Sequence, residues 1–428
     1  MSRRILFVHQ NFPGQFLHVA DALIARGDQV AAIGGKTARE RDGVTLVRWD
    51  NKQGSTPGIL PAATRAEADL IRAQAAAGAA VELGKRGFVP DVIIGHPGWG
   101  ETLHLKDIFP SARLILFGEY YYRQKGGDVN FDREFETPTL QGAMRTNGKN
   151  ATQSLAYTMA DRIVSPTAFQ ASTFPPVFQP LIKVLHEGID LSRARPNPDA
   201  RLTLADGRVL DRSTPVITFI NRNFERLRGF HIFMRALPAF LDAVPEAQVI
   251  AIGADGTGYG SARDDGKTWR QVMLAELGDR LDRSRLHFVG QVEYEKMVDI
   301  LSIGAAHVYY TYPFTLSWSL ADAMACECLI LASDTAPVRD AITSGRNGIL
   351  LDFFDVDALS RAMIDAVRNP DRYAAMRKQA RVSALSKFDR DRIGVPGWLT
   401  LIDSQLAKRR AADAKARMRP AARRARAR

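Results

Sequence analysis

Short apolar runs and amphipathic stretches alternate along almost the whole chain. The run RILFVH (4–9) predicts a buried parallel strand. After the turn QNFPG, apolar residues recur at Phe16, Val19, Ala20, Leu23 and Ile24. That spacing marks one face of a helix, which Gly27 is expected to end. Further strand-like runs follow at VAAIG (30–34), TLVRW (45–49), VIIG (92–95), LILFG (114–118), RIVS (162–165) and IKVLH (182–186), with helical stretches between most of them. Repetition of this βα rhythm predicts a doubly wound α/β sheet.

A polar stretch from 191 to 214, carrying two prolines and many charges, interrupts the rhythm and reads as an interdomain connection. A second series then begins: VITFIN (216–221), a helix from Gly229, QVIAIG (248–253), LHFVG (286–290), AHVYY (306–310), LILAS (329–333) and GILL (348–351), closed by helices near 357–369 and 370–387. The expected organisation is two Rossmann-like domains, 1–195 and 196–393, facing across a cleft. A helix at 394–407 would pack back on the N-terminal domain, and a disordered basic tail would occupy 408–428.

Charge sharpens the picture of that tail. The chain carries a net +11, but 408–428 holds ten Lys/Arg against one Asp, which leaves about +2 for the rest. Nucleic-acid proteins spread positive charge over a folded face, so composition disfavours that class. The tail suits contact with anionic lipid, or simple solvation. No run approaches the ~20 apolar residues of a membrane span. The only two cysteines, Cys326 and Cys328, sit in one element. A reducing, cytoplasmic setting is expected, with peripheral contact at the inner face of the membrane through the tail.

Ligands of open α/β sheets bind at the carboxyl ends of strands, so the residues that follow strands are the candidates. In NRNFERLRGF (221–230), Arg222, Arg226 and Arg228 crowd a helix start, where an anion would relieve their conflict with the helix dipole; a solvated surface loop is the alternative. The segment GADGTGYGSA (253–262) offers close backbone approach to a ligand through its glycines, with Gly253, Asp255 and Tyr259 as candidate ligand contacts, or is a flexible loop. His96, in IIGHPGWGET, follows a strand with Trp99 nearby and could serve as acid, base or hydroxyl ligand, or as a structural histidine. Glu119 and Tyr120, in LFGEYYYR, suit a polyol through apolar faces and acceptors, unless the tyrosines pack in the core. Metal-ligand spacings, a Walker loop and a nucleophile elbow are all missing from the sequence.

The segments HQNFPGQF, HPGWGETLHLKD, RGFHIFMRALP, LSWSLADAMACECLILASDTAPVRDAI and NGILLDFFD together resemble glycosyltransferase family 4, the retaining nucleotide-sugar transferases of GT-B fold. The resemblance runs from about residue 4 to 390. It implies that Arg222 and Arg228 bind the donor diphosphate. It places His96 near the reacting carbon of the donor sugar, and Gly14 and Gln15 on the acceptor side with Trp99, Glu119 and Tyr120. Asp322 stands where the family has a glutamate that holds the donor ribose.

One departure is conspicuous. Eight positions before Asp322, where the family carries its sugar-facing glutamate, stands Phe314. Aligning the Pro-Phe pair instead puts Tyr312 there. Tyr312, Phe314, Thr315, Leu316 and Ser317 are therefore the groups expected to replace that contact. The resemblance implies retaining transfer of a sugar from a nucleotide diphosphate to a cell-surface glycan or lipid-linked acceptor, with arginines rather than a metal meeting the diphosphate and no cofactor. A non-catalytic nucleotide-sugar-binding subunit is the alternative, and nucleic-acid binding through the tail is the least favoured reading.

Overall fold

A computed structural model describes residues 3–51, 53–260 and 262–425, with side chains as far as residue 411. The chain divides into two compact units, residues 1–187 with 390–428 and residues 188–389.

In the first unit, strands β1 (Arg4–Val8), β2 (Gln29–Gly34), β3 (Val44–Arg48), β4 (Val92–Gly95), β5 (Arg113–Phe117), β6 (Arg162–Ser165) and β7 (Ile182–Val184) alternate with helices α1 (Leu17–Ala25), α2 (Thr64–Lys85), α3 (Leu105–Ile108), α4 (Leu140–Thr158) and α5 (Ala168–Ser172). The strands form a sheet in the order β3-β2-β1-β4-β5-β6-β7, parallel throughout. Both faces are covered, which is why these strands read as unbroken apolar runs rather than alternating ones. Helix α1 buries Val19, Ala20 and Leu23 of the anticipated stripe, and the chain turns at Gly27 with a left-handed φ of 84°.

The second unit opens with a small antiparallel hairpin, β8 (Leu202–Thr203) and β9 (Val209–Leu210). Its main sheet is built from β10 (Val216–Asn223), β11 (Gln248–Ala254), β12 (Leu286–Gly290), β13 (Ala306–Tyr309), β14 (Ile330–Ser333) and β15 (Ile349–Leu351), parallel in the order β12-β11-β10-β13-β14-β15. Its helices are α6 (Phe230–Ala243), α7 (Trp269–Leu277), α8 (Tyr294–Ile303), α9 (Trp318–Ala325), α10 (Ala336–Arg339), α11 (Val356–Arg368) and α12 (Ala374–Lys387).

The last helix, α13 (Val395–Ala425), belongs to the first unit. Trp398, Ile402 and Leu406 join the core formed by Ile5, Phe7, Phe16 and Phe117. Asp403 receives hydrogen bonds from Arg3 and Arg26, fastening the helix on its polar side.

Two boundaries differ from expectation. The units part at 187/188 and 389/390, not at 195/196 and 393/394. The polar stretch 191–214 is no mere connection. Ala194, Ala200, Leu202, Leu204 and Leu210 are buried in the core of the second unit, so its scattered apolar residues outweigh its charges. The expected disorder from 408 also starts too early. Helix α13 runs through Lys408, and Arg409 pairs with Asp91 and donates to the Pro90 carbonyl at 3.1 Å. The side chains of 412–428 lie outside the described residues.

Candidate functional site

In each sheet the strand order reverses direction at one point, β1/β4 in the first unit and β10/β13 in the second. There the loops after two adjacent strands diverge and leave a crevice, the place where such sheets bind ligands. Both groups of candidate residues lie at these points.

In the first unit, His9 follows β1 and His96 follows β4. Their rings meet edge to face with centroids 5.5 Å apart, and Trp99 packs 4.5 Å from His96 and 5.2 Å from His9. His9 Nδ1 accepts from the Asn11 N–H at 2.9 Å, so its proton sits on Nε2, which donates to Gln15 Oε1 at 2.8 Å. Burial first, then the neighbouring His96, push His9 down to about 3, and it stays neutral. Gly14 is needed beside it: a Cβ there would lie 2.6 Å from the His9 ring, and φ is +48°.

His96 caps the short turn Pro97–Trp99, and its Nδ1 accepts from the Gly98 N–H at 3.1 Å. Neutral His96 therefore carries its proton on Nε2. That nitrogen is buried and makes no hydrogen bond among the described residues, while a Glu119 carboxylate oxygen stands 3.5 Å away. A buried, oriented N–H beside a carboxylate is equipped to bind a hydroxyl group that both donates and accepts.

The structure thus brings together Gly14, Gln15, His96, Trp99 and Glu119. Tyr120 turns elsewhere: its hydroxyl accepts from the Asp128 N–H at 3.3 Å, and its ring packs on Tyr122. His9 was missed by the sequence reading. The signal was the same that singled out His96, a histidine directly after a buried strand.

In the second unit Arg222 stands at the end of β10, the loop after it carries Glu225, Arg226 and Arg228, and the loop after β13 carries Thr311 to Ser317. Arg228 is buried and donates to Thr311 Oγ1 at 3.0 Å, to the Thr315 carbonyl at 2.8 Å and to Thr315 Oγ1 at 3.2 Å. Its guanidinium also stands 5.5 Å from the Tyr259 ring and 5.8 Å from Phe314, which pack edge to face on each other. A fixed cation is thereby held just ahead of helix α9, whose N-cap is Ser317. Arg222, by contrast, is exposed at the end of its strand.

The glycine-rich loop 253–262 folds around Glu225, another residue the sequence reading passed over. The Glu225 carboxylate accepts from the Tyr259 and Gly260 N–H groups at 3.1 Å each. A Cβ at Gly258 would lie 2.2 Å from Glu225 Oε1, and one at Gly256 would lie 2.6 Å from Asn223 Oδ1. These glycines serve a close approach to the chain's own β10 loop. Glu225 is the only acid between Asp211 and Asp242, which was the available signal. A Cβ at Gly253 would lie 2.8 Å from the Asn221 carbonyl oxygen and from the Phe224 ring, and Asp255 pairs with Arg270.

Of the residues expected to replace the family's glutamate, Tyr312 is buried with its ring 5.3 Å from Phe353, and its N–H donates to the Leu227 carbonyl. Leu316 sits in the core. Asp322 lies on α9, buried, and accepts from the Tyr294 hydroxyl at 2.7 Å. Burial pushes its carboxyl up to about 6, against the stabilising bond from Tyr294 and the charge of Arg193. The Arg193 guanidinium covers the Tyr294 ring at 4.4 Å, and both line a cavity of about 660 Å³ with Arg195, Asn197 and Asp299. Among the described residues no cluster of three metal-ligating side chains occurs, and no helix is long and apolar enough to cross a membrane.

Comparison with known proteins assigns both halves of the chain. Residues 26–194 match the model for the glycosyl transferase family 4 group, and residues 205–383 match glycosyl transferases group 1. A D-inositol 3-phosphate glycosyltransferase of Rhodococcus opacus is 26% identical over 204 residues, 46% of this chain and 43% of that protein. A GDP-mannose-dependent alpha-(1-6)-phosphatidylinositol monomannoside mannosyltransferase of Mycolicibacterium smegmatis is 24% identical over 271 residues, 59% of this chain and 62% of that protein. The chain spans about half the length of the curated relatives it matches. Among solved structures, a sucrose-phosphate synthase from Thermosynechococcus elongatus superposes with a TM-score of 0.73 at 16% identity, covering 95% of this chain and all of that one. Anabaena HepE in complex with UDP and glucose gives 0.66 at 16% identity, over 94% of this chain and all of that one. With two Rossmann-like parallel sheets, these neighbours and a family match in each half, the chain belongs to the family 4 glycosyltransferases of GT-B fold.

Proposed function

We propose that this protein transfers a sugar from a nucleotide-diphosphate sugar to a glycan or lipid-linked acceptor, with retention of configuration. The observation that carries this reading is the buried Arg228, tied to Thr311 and Thr315 at the head of α9. The leaving group of such a transfer is a nucleoside diphosphate. Its developing charge is met by a cation already held in place, with no reorganisation at the moment of reaction. Arg222, exposed at the end of β10, supplies the second charge. Positive side chains take the part a divalent metal plays elsewhere. The retaining outcome follows the family resemblance, in which the leaving group stays on the face that the acceptor attacks.

On the first unit, the His96 Nε2–H and the Glu119 carboxylate bind hydroxyls of the transferred sugar or of the acceptor. Asp322 accepts from the donor ribose. Relatives that act on inositol phosphate and phosphatidylinositol mannoside support a polyol-containing acceptor, water-soluble or lipid-linked. Contact of the 408–428 tail with anionic lipid would bring the protein to the inner face of the membrane.

Arg222 makes the cleaner test, because it is exposed whereas Arg228 also holds two loops together. Arg222→Ala should lower turnover of a nucleotide-sugar donor about 100-fold or more, one lost charge contact being worth roughly 3–4 kcal/mol, with an unchanged melting temperature. Turnover within threefold of wild type would remove the assignment. A second reading, nucleotide-sugar binding without transfer, draws on the burial of Phe314 at the position of the family's sugar-facing acid. Release of nucleoside diphosphate coupled to a glycosylated product from purified protein rejects it.

A further inference from the structure

The turn that carries His96 and Trp99 does not stand on its own. Helix α2 places Arg65, Asp69 and Arg72 beneath it. Arg72 Nε donates to the Trp99 carbonyl at 2.8 Å, and Arg65 donates to the Gly98 carbonyl. Both arginines converge on one oxygen: Asp69 Oδ1 is 2.9 Å from Arg65 Nε and 2.5 Å from Arg72. The other carboxylate oxygen of Asp69 accepts from the Thr152 hydroxyl of α4 at 2.6 Å. Asp69 is only 2% exposed. The turn then closes at Gly100, where φ is +96° and a Cβ would lie 2.2 Å from the Asp69 carbonyl.

This is an unusual use of a buried ion cluster. Two guanidinium groups meet two consecutive backbone carbonyls of one short turn, and a single carboxylate holds both. The turn in question orients the His96 ring through the Gly98 N–H and packs Trp99 against it at a tilt of 30°. A buried carboxylate costs several kcal/mol to desolvate and returns it only with excellent geometry. An all-apolar packing would have been the simpler way to fix a helix against a loop. Ion clusters also give directional, bidentate contacts that apolar packing lacks.

We infer that Asp69, through Arg65 and Arg72, is a positioning residue for sugar transfer: it fixes the 97–100 turn and so the direction of the His96 Nε2–H. The inference rests on the role given above to His96. Misplacement by about 1 Å can cost on the order of 100-fold in rate, so the cluster affects turnover more than donor affinity.

The test uses the full chain. Asp69→Asn keeps an acceptor for Thr152 but loosens both arginines. Arg65→Ala removes one grip without stranding a buried charge, since the Arg65 side chain is 44% exposed, and it serves where Asp69→Asn fails to fold. Each variant is made in the wild-type and the His96→Ala backgrounds, and the imidazole signals of His96 are followed by nitrogen NMR. The expected result is a fall in kcat of about tenfold with donor KM within twofold, no further fall in the His96→Ala background, and displaced His96 signals while those of buried His307 stay. Equal losses in both backgrounds, a rise in KM matching the loss, or unmoved His96 signals would overturn the positioning role. Wild-type turnover in His96→Ala overturns the reading of His96 itself, whereas a strongly impaired His96→Ala beside a normal Asp69→Asn overturns the positioning role alone.

Discussion

Two buried acids, Asp322 and Glu101, show how environment divides one kind of side chain into two behaviours. Asp322 has a partner, the Tyr294 hydroxyl, and a carboxyl raised to about 6. It is ionised near neutrality, the form that the proposed contact with a ribose diol requires. Affinity for a nucleotide sugar should therefore weaken as pH falls through about 6. Tyr294→Phe removes a bond to the ionised form, so the break should move to higher pH. Titration calorimetry between pH 5 and 8 checks both; an affinity flat over that range removes Asp322 from the donor site. Glu101 is 1% exposed, and neither carboxylate oxygen has a hydrogen-bond partner among the described residues. Burial pushes it up to about 7, opposed by the nearby N–H of its own backbone, then by Arg72 and Arg65, and reinforced by Asp69. The folded state thus holds this proton more tightly than the unfolded chain. The stability it contributes is complete below about 4.5 and is lost as pH rises through about 7, some ~3 kcal/mol over that span at 1.36 kcal/mol per unit. Glu101→Gln should flatten the slope of unfolding free energy against pH in that window, as read by urea denaturation. An unchanged slope would show that Glu101 does not titrate there.

At the scale of elements, the loops at the strand ends depend on a few backbone positions that tolerate no side chain. Gly229 is the clearest. It joins the Arg226–Arg228 turn to α6 with φ at +67°, and a Cβ would lie 2.3 Å from Tyr310 Cβ on the neighbouring loop. Gly229→Ala should cost ~2 kcal/mol or more, from the left-handed backbone and the clash together, or a fall of roughly 4–8 °C in melting temperature. It should also displace Arg228 and lower turnover; a calorimetric midpoint within 1 °C of wild type would contradict the geometry. Most elements were legible in the sequence because period and burial agree: RILFV, QVIAIG and LILAS are apolar on both faces and became central strands. The hairpin β8–β9 was not, since two-residue strands in a charged segment carry too little period to stand out. What the 253–262 glycines approach within the chain was hidden for a related reason. Composition showed that something approaches closely, and only the fold shows that it is Glu225.

For the whole molecule, α13 is what returns the chain to its first unit. Trp398 is fully buried against Phe16 and Phe117. Trp398→Ala should cost about 3–5 kcal/mol and make the segment after 394 sensitive to brief proteolysis, detected by mass spectrometry. Truncation after residue 411 leaves Arg409 and its Asp91 contact in place. It should reduce sedimentation with anionic vesicles at low salt, at ~1 kcal/mol per basic residue removed, without changing turnover of a soluble acceptor. The sequence by itself determined the βα rhythm, two such series, the family, the positions of His96, Arg222 and Arg228 at or just after strand ends and that of Asp322 in a helix. Each of these is written in local period or in motif spacing. Tertiary structure alone decided which strand ends are neighbours. Placing β1 beside β4 and β10 beside β13 sets His9 against His96 and Arg228 against Thr315, pairings of 87 residues each. No local period encodes such distances, because they follow from how a parallel sheet orders its crossovers to bury apolar strands on both faces.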